Sequence, residues 1–406
     1  MTTAETIGFD DIIAPVTRAE FFADYYDKKP LHIPAADSGN SHRFDKVMNW
    51  DRLNTLLNMT PVWNSKSLLM VLDTKMVPAG AYCEDSTDRY GNPVQSVDPV
   101  KVMDILRRGA SLVANDIDSL TPEMRDVSTA LENAFTGKVQ VNLYCSWAAH
   151  KAFTSHFDTH DVMALHVAGE KTWRVYENRM PHPVRHRRYG NEIYTDLQHT
   201  EQKGDVMMEI TMRPGDVLYL PRGWYHDALA DSPGAIHLAC GITGIIGFDL
   251  LDALSDVAVD QELFRRNFPR EDEGEEALNA HLDQLRDLLV GLIDAKEFRK
   301  AYRNFQHAFR TSRGGMALPV SVVEKQYAVT SPEFKVQEVQ GRSVLSGPKG
   351  KTPIPPAFLA PVMWVLNHRS FTRAEFLKQS FAVDVDRADK ALHQLVKMDV
   401  ISESEA

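Results

Sequence analysis

The chain has 406 residues, 43% of them hydrophobic and 25% charged, with a formal net charge of −11. That length fits two or three compact units better than one, and the acidic balance speaks against a general nucleic-acid binder, which needs clustered Lys and Arg against phosphates. Partners with basic patches are the easier match. The three cysteines, Cys83, Cys145 and Cys240, are too scattered for a disulfide framework or a thiolate metal site, so a reducing, cytoplasmic setting is expected. Residues Met1 to Val16 carry no apolar signal core, and no run approaches the ~18 apolar residues of a membrane span.

Thr17-Arg18-Ala19-Glu20 has a capping-box pattern, and Phe21, Phe22, Tyr25 and Tyr26 follow at helical spacing. Pro30 ends that helix and Leu31 to Ile33 start a strand. Helices are expected at Asn49 to Leu57, Asp98 to Gly109 and Pro122 to Phe135, and a buried strand at Ser67 to Leu72. The polar stretch between Tyr82 and Val97, broken by Gly91-Asn92-Pro93, reads as a loop near the mouth of an active site.

From Val139 to about 246, short apolar runs separated by Gly, Pro, Asn and Asp turns predict an antiparallel sandwich or barrel. The strands are expected at Val139–Trp147, Asp161–Val167, Thr172–Tyr176, Val206–Met212, Asp216–Leu220, His226–Ala230 and Ala235–Ile242. Within this region His156-Phe157-Asp158 would turn an imidazole and a carboxylate to one face of an extended segment. The best third ligand is His226 in Pro221-Arg222-Gly223-Trp224-Tyr225-His226. Two His and one carboxylate leave open positions on an octahedral metal, as non-haem Fe(II) oxygenases require, although zinc hydrolases use mixed sets too. Lys171 starts the strand fifteen residues after His156, and Asn142 and Tyr144 share one face of the strand before it. A lysine, an amide and a phenol beside a half-filled metal suit a small dicarboxylate.

Asn178 to Asp205 reads as a long polar insertion at the rim of the substrate entrance, with His182, His186 and His199 as loop histidines. Pro181 and Pro183 forbid the helix that would align His182 with His186. His237 reads more readily as a buried core histidine than as a site residue. His160 and His166 rank behind His156 as ligands, the first because the strand turns there, the second because it lies in an apolar run.

These residues carry a resemblance to the JmjC-type cupin oxygenases, which depend on Fe(II) and 2-oxoglutarate, and among them to the ribosomal oxygenases. The matching positions are Asn142-x-Tyr144, His156-x-Asp158, Asp161-Val162, Gly169 to Tyr176, Pro214-Gly215-Asp216 and Pro221-x-Gly223-x-x-His226. The resemblance implies a double-stranded β-helix, or jelly-roll, in an α+β chain. It implies iron ligation by His156, Asp158 and His226, with Lys171 on the far carboxylate of 2-oxoglutarate and Asn142 and Tyr144 contributing. Where the family often has a Ser or Thr after the distal histidine this chain has Gly241, and Thr243 is the substitute considered.

Residues 1–246 are thus expected to form the catalytic domain, with helices over 1–138 and the barrel core over 139–246. Leu250, Leu251, Leu254 and Val257, then Leu278 to Ile293, give amphipathic stripes either side of the acidic run Glu271 to Glu276, read as a solvated connector. Residues 247–310 are expected to be a helical dimerisation region, making the chain a homodimer. Residues 311–406 begin as a linker with short strands near Ser321 to Gln326 and Phe334 to Val339, followed by helices at Pro356–Asn367, Thr372–Gln379 and Val385–Lys397 and a tail strand at Val400-Ile401, a winged-helix pattern. Residues 357–406 hold six Lys/Arg and seven Asp/Glu, a poor phosphate surface, so protein contact is expected of it rather than DNA binding.

The expected activity is hydroxylation of a protein or peptide side chain, by resemblance an arginine or histidine of a ribosomal protein. Two rivals are a tailoring hydroxylase of a natural-product peptide or amino acid (or an N-methyl demethylase) and a non-catalytic cupin regulator.

Overall fold

The computed structural model describes residues 6–87, 90–147, 154–186, 193–314, 325–339, 341–348 and 350–405. The chain divides into two compact units, Met1–Gly314 and Gly315–Ala406. In the first, the described strands are β1 (Leu31–Ile33), β2 (Leu68–Leu72), β3 (Lys75–Met76), β4 (Cys83–Thr87), β5 (Pro93–Val97), β6 (Ser111–Ala114), β7 (Gly137–Ser146), β8 (Asp161–Ala168), β9 (Lys171–Arg179), β10 (Val206–Met212), β11 (Val217–Leu220), β12 (Trp224–Ala230) and β13 (Ala235–Gly244).

Two antiparallel sheets face each other. The larger runs β1-β11-β8-β13-β7-β6-β2-β3 and the smaller β10-β9-β12. Strand parity decides what fills each side. On β13, Ile236, Leu238, Cys240 and Ile242 face the outer core, where Phe9, Ile12, Phe21, Leu131 and Phe135 of the N-terminal helices cover the sheet. Val162 and Ala164 of β8 face inward, against Trp173 and Val175 of β9 and Ile210 and Met212 of β10. Burial on both faces explains why β8 reads as a nearly unbroken apolar run. The turn into β11 is tied by Asp216, which accepts hydrogen bonds from the backbone N–H of Ala35 at 2.7 Å and of Arg213 at 3.0 Å.

The N-terminal helix is capped as its pattern predicts, with the Thr17 hydroxyl accepting from the Glu20 N–H at 3.2 Å. It then widens into a π-turn over Phe21–Tyr25. Three expectations change. The stretch between Tyr82 and Val97 is a hairpin, β4 and β5, and none of its described residues lines the site cavity. The insertion after β9 contains a helix, Asp196–Gln202, whose cap is Thr195 with Gln198 at the third position. His199 on it is buried against Phe157 and Tyr225, so it is a core residue and not a loop histidine. The acidic run also proves only half connector, since Gly274, Glu275 and Glu276 start the helix Gly274–Asp294, where negative charge suits the first turn. Residues 187–192 of the insertion lie outside the described residues.

The second unit holds the helices Leu359–Leu366, Arg373–Gln379 and Val385–Lys397. One three-stranded sheet joins Ser370–Thr372, Lys325–Val329 and Ile401–Glu405. A second joins Lys335–Val339, a strand expected from the sequence, with Arg342–Gly347 and Gly350–Pro353, where linker is expected. Residues 321–324 of the expected strand near Ser321 lie outside the described residues. Among the described residues no helix is long and apolar enough to cross a membrane.

Candidate metal centre and its cavity

His156 and His226 are held as a pair by the backbone. The His226 N–H donates to the His156 carbonyl at 2.8 Å and the His156 N–H to the His226 carbonyl at 3.1 Å, an antiparallel bridge beside β12. The Gly223 N–H donates to the Asp158 carbonyl at 2.8 Å, extending the same pairing. Gly223 has φ +86°, and a Cβ there would come within 2.0 Å of the Met180 carbonyl oxygen, so this turn requires glycine. Phe157 points to the opposite side, into a cluster with Tyr176 and Tyr225. The parity read from the sequence therefore holds.

One ligand atom from each of His156, Asp158 and His226 lies within 4.8 Å of the other two. His226 Nε2 stands 3.6 Å from Asp158 Oδ2. Each histidine uses Nδ1 against a carbonyl two residues earlier, His156 to Thr154 at 2.8 Å and His226 to Trp224 at 3.0 Å. A carbonyl can only accept, so each ring carries hydrogen on Nδ1, which leaves Nε2 as the atom a metal takes. Burial, reinforced by His156, pushes the His226 pKa down to about 4 and keeps it neutral at neutral pH. Burial opposes ionisation of Asp158, but His160, His226 and His156 together hold its pKa below the ordinary value. Two imidazoles whose Nδ1 atoms face carbonyls, and a carboxylate, are a fitting donor set for a divalent first-row metal.

The three residues line a cavity of about 220 Å³, together with Lys171, Asn142, Tyr144 and Trp173. Lys171 is 3% exposed, and burial pushes its pKa down to about 8. Its ammonium stands 6.0 Å from the centre of the Tyr144 ring, and it makes no ion pair or hydrogen bond among the described residues. Asn142 accepts from the Asp116 N–H at 3.1 Å and hydrogen-bonds the Tyr144 phenol, whose pKa burial and Asp158 raise to about 12. A keto acid chelated by one end at the metal and salt-bridged at the other suits this lining.

Thr243 lines the cavity too, but at its outer end, where it also borders a vestibule of about 690 Å³ with Arg185, His186, Arg222 and Phe248. Lys171 opens β9 at the far hairpin, where His237 of β13 also lines the cavity. Six residues of strand put Thr243 about 20 Å from His237, so it does not stand beside Lys171. Two histidines that the sequence reading ranked low line the cavity, His160 and His237. Both carried a signal: His237 shares the parity of Gly241, and Gly241 itself makes room for a ring from elsewhere. His166 does not line the cavity; its Nε2 bonds the Gly169 carbonyl at 2.9 Å.

Residues 120–250 match the family model of the JmjC domain. The chain is 28% identical over 220 residues to the bifunctional lysine-specific demethylase and histidyl-hydroxylase NO66 of Drosophila persimilis, covering 54% of this chain and 29% of that protein. It is 23% identical over 328 residues to ribosomal oxygenase 1 of Danio rerio, covering 74% of this chain and 56% of that one. The chain thus spans less than two thirds of the length of either relative. Among solved structures, YcfD, a ribosomal oxygenase from Escherichia coli in complex with cobalt and succinic acid, superposes with a TM-score of 0.51 at 16% identity, covering 96% of this chain and 99% of that one. The fold is therefore JmjC- and cupin-like, as the two facing antiparallel sheets require. Residues 120–250 carry a JmjC domain, and the relatives this chain resembles include a ribosomal oxygenase.

Proposed function

We propose that this chain is an Fe(II)- and 2-oxoglutarate-dependent dioxygenase that hydroxylates a side chain of a protein, in the first place an arginine or histidine of a ribosomal protein. The observation that carries the reading is the set of His156, Asp158 and His226 facing one cavity with the buried cation of Lys171, unpaired among the described residues. When bound, iron and the keto acid supply the oxidising chemistry, with succinate and CO2 as products. The chain's own residues do the rest. His156, Asp158 and His226 fix the ion and leave positions open; Lys171 binds the far carboxylate, with Tyr144 and Asn142 shaping the wall. Trp173 packs on the His226 ring at 5.8 Å and limits its rotation. The inner faces of the two sheets keep bulk water from the reacting atoms. Substrate enters through the vestibule, whose rim includes Arg185 and His186 from the insertion after β9. A ribosomal substrate implies a cytoplasmic site of action.

Incubation of the full chain with Fe(II), 2-oxoglutarate and purified ribosomes, read by intact-protein mass spectrometry, tests this. A hydroxylation-sized mass gain on one ribosomal protein, absent in Asp158→Ala, is expected. Unchanged masses alongside turnover on a small peptide or amino acid would contradict the substrate class.

We further propose that the chain is a homodimer through residues 247–310. None of the 21 residues of the helix Gly274–Asp294 is buried, and Leu278, Leu282, Val290 and Ile293 are exposed on it. An apolar stripe of that length calls for a cover. Light scattering at micromolar concentration should give twice the chain mass, reduced to one by Leu282→Asp; a wild-type monomer would reject the interface. The second unit, with three helices and a three-stranded sheet, is proposed to be a winged-helix module that contacts protein.

A further inference from the structure

The closed end of the cavity holds two polar groups with nothing among the described residues to satisfy them. Lys171 presents a buried ammonium without an ion pair among the described residues. His237 is 3% exposed, and its Nδ1 is sealed off without a hydrogen-bond partner. The ring is stacked on Tyr144, 4.9 Å between centres and 6° between planes, and stands edge-on to Trp173 at 5.3 Å. A phenylalanine would pack there as well. An imidazole retained in such a place loses its hydrogen bonds to water and gains none in return.

We infer that His237 is the second anchor for the carboxylate that Lys171 binds, donating Nε2–H to one carboxylate oxygen while the ammonium takes the other. The inference rests on the 2-oxoglutarate reading and concerns the distal carboxylate of that diacid. With Nδ1 sealed, Nε2 is the nitrogen through which the ring reaches a ligand. The neutral ring has one hydrogen, and placing it on Nε2 satisfies both ring and anion. The groups around the ring are Lys171, His166, Tyr144 and Trp173, with no carboxylate among them, so burial and the two basic neighbours keep it neutral. His166 across the ladder is already committed to Gly169. Ala239, one inward position further along β13, offers no polar atom, and Thr243 lies at the outer end. His237 is the inward-facing polar side chain of β13 on the Lys171 side.

The test is 2-oxoglutarate binding to the full chain loaded with Mn(II), measured by isothermal titration, with pyruvate as a keto acid that lacks the distal carboxylate. His237→Phe keeps the stacked ring and removes the donor. It should weaken 2-oxoglutarate about tenfold or more while leaving Mn(II) and pyruvate affinities as in the wild type. His237→Gln, which retains an N–H donor, should recover part of the loss. Equal 2-oxoglutarate affinity in His237→Phe and wild type would overturn the inference alone, as would parallel losses of pyruvate and Mn(II). Should His237→Phe fail to fold, His237→Gln against His237→Leu makes the same comparison. A wild-type chain that binds Mn(II) but no 2-oxoglutarate would overturn the cofactor reading and the inference with it.

Discussion

The Cδ2–Nε2 edge of the His160 ring is turned to Gly241: a Cβ at 241 would come within 2.7 Å of both atoms. Residue 160 borders both the metal cavity and the vestibule, so this contact forms the neck between them. The glycine is required by that ring and not by the backbone.

Gly241→Ala should therefore displace His160. Overpacking of this kind costs about 1–3 kcal/mol, and thermal unfolding should show it. His160→Ala in the same chain should restore most of the lost stability, because it removes the atoms the new methyl strikes. If the double variant melts no higher than Gly241→Ala, the strain lies elsewhere.

A buried network binds the two ligand-bearing segments from behind. Asp227 accepts hydrogen bonds from Ser155 Oγ at 2.6 Å and from the Tyr176 hydroxyl at 2.7 Å. Lys203 reaches both of those hydroxyls, at 3.0 and 3.1 Å. Ser155 precedes His156 and Asp227 follows His226, so the network fixes their register. Asp227→Ala leaves these donors without their acceptor and should cost about 3 kcal/mol. Co(II) affinity should fall by about tenfold, as for other groups that orient metal ligands. Unchanged Co(II) affinity in a folded Asp227→Ala would show that the network serves stability alone.

Lys171 gives two opposite pH trends. Its amine titrates at about 8 in the folded chain against an ordinary 10.5. Between those values the unfolded state binds more protons, so the burial penalty, fully present below pH 8, fades and the stability contribution rises with pH. Binding of 2-oxoglutarate needs the ammonium, so affinity should fall as pH rises through 8, by about tenfold per unit for one linked proton. Lys171→Ala should bind weakly and show no such slope. A wild-type affinity flat from pH 7 to 9.5 would contradict the salt bridge.

Arg313 is buried between two carboxylates, at 2.6 Å from Asp118 and 2.7 Å from Glu132. It also donates to the Val139 carbonyl at the start of β7. Glu132 further accepts from the N–H groups of Val139 and Thr311, at 3.1 and 2.9 Å. Arg313→Ala would leave two buried charges unmatched, which costs about 3–5 kcal/mol. Denaturant unfolding should show that loss. A midpoint unchanged in Arg313→Ala would show the pair to be isoenergetic with its desolvated parts.

The shared faces of His156 with Asp158 and of Asn142 with Tyr144 were legible in the sequence because a period of two assigns faces. Parity does not say which end of a strand a residue occupies. Thr243 has the right face and the wrong end, and only the pairing of His237 with Tyr144 and His166 reveals that. His160 ranked behind His156 because the strand turns there, and its place against the cavity is set by a missing side chain on another strand. His199 read as polar loop, yet the Thr195–Gln198 capping box was there to find, and its helix brings the ring onto Phe157. The strands Arg342–Gly347 and Gly350–Pro353 looked like linker because Gly, Pro and Lys dominate them, and pairing with Lys335–Val339 supplies what local propensity lacks.

Titration of Co(II) into the full chain, followed by isothermal calorimetry, tests the triad most directly. One ion per chain is expected, with affinity collapsing in His156→Ala, Asp158→Ala and His226→Ala while each variant stays folded. One ion bound equally well without His226 would contradict it.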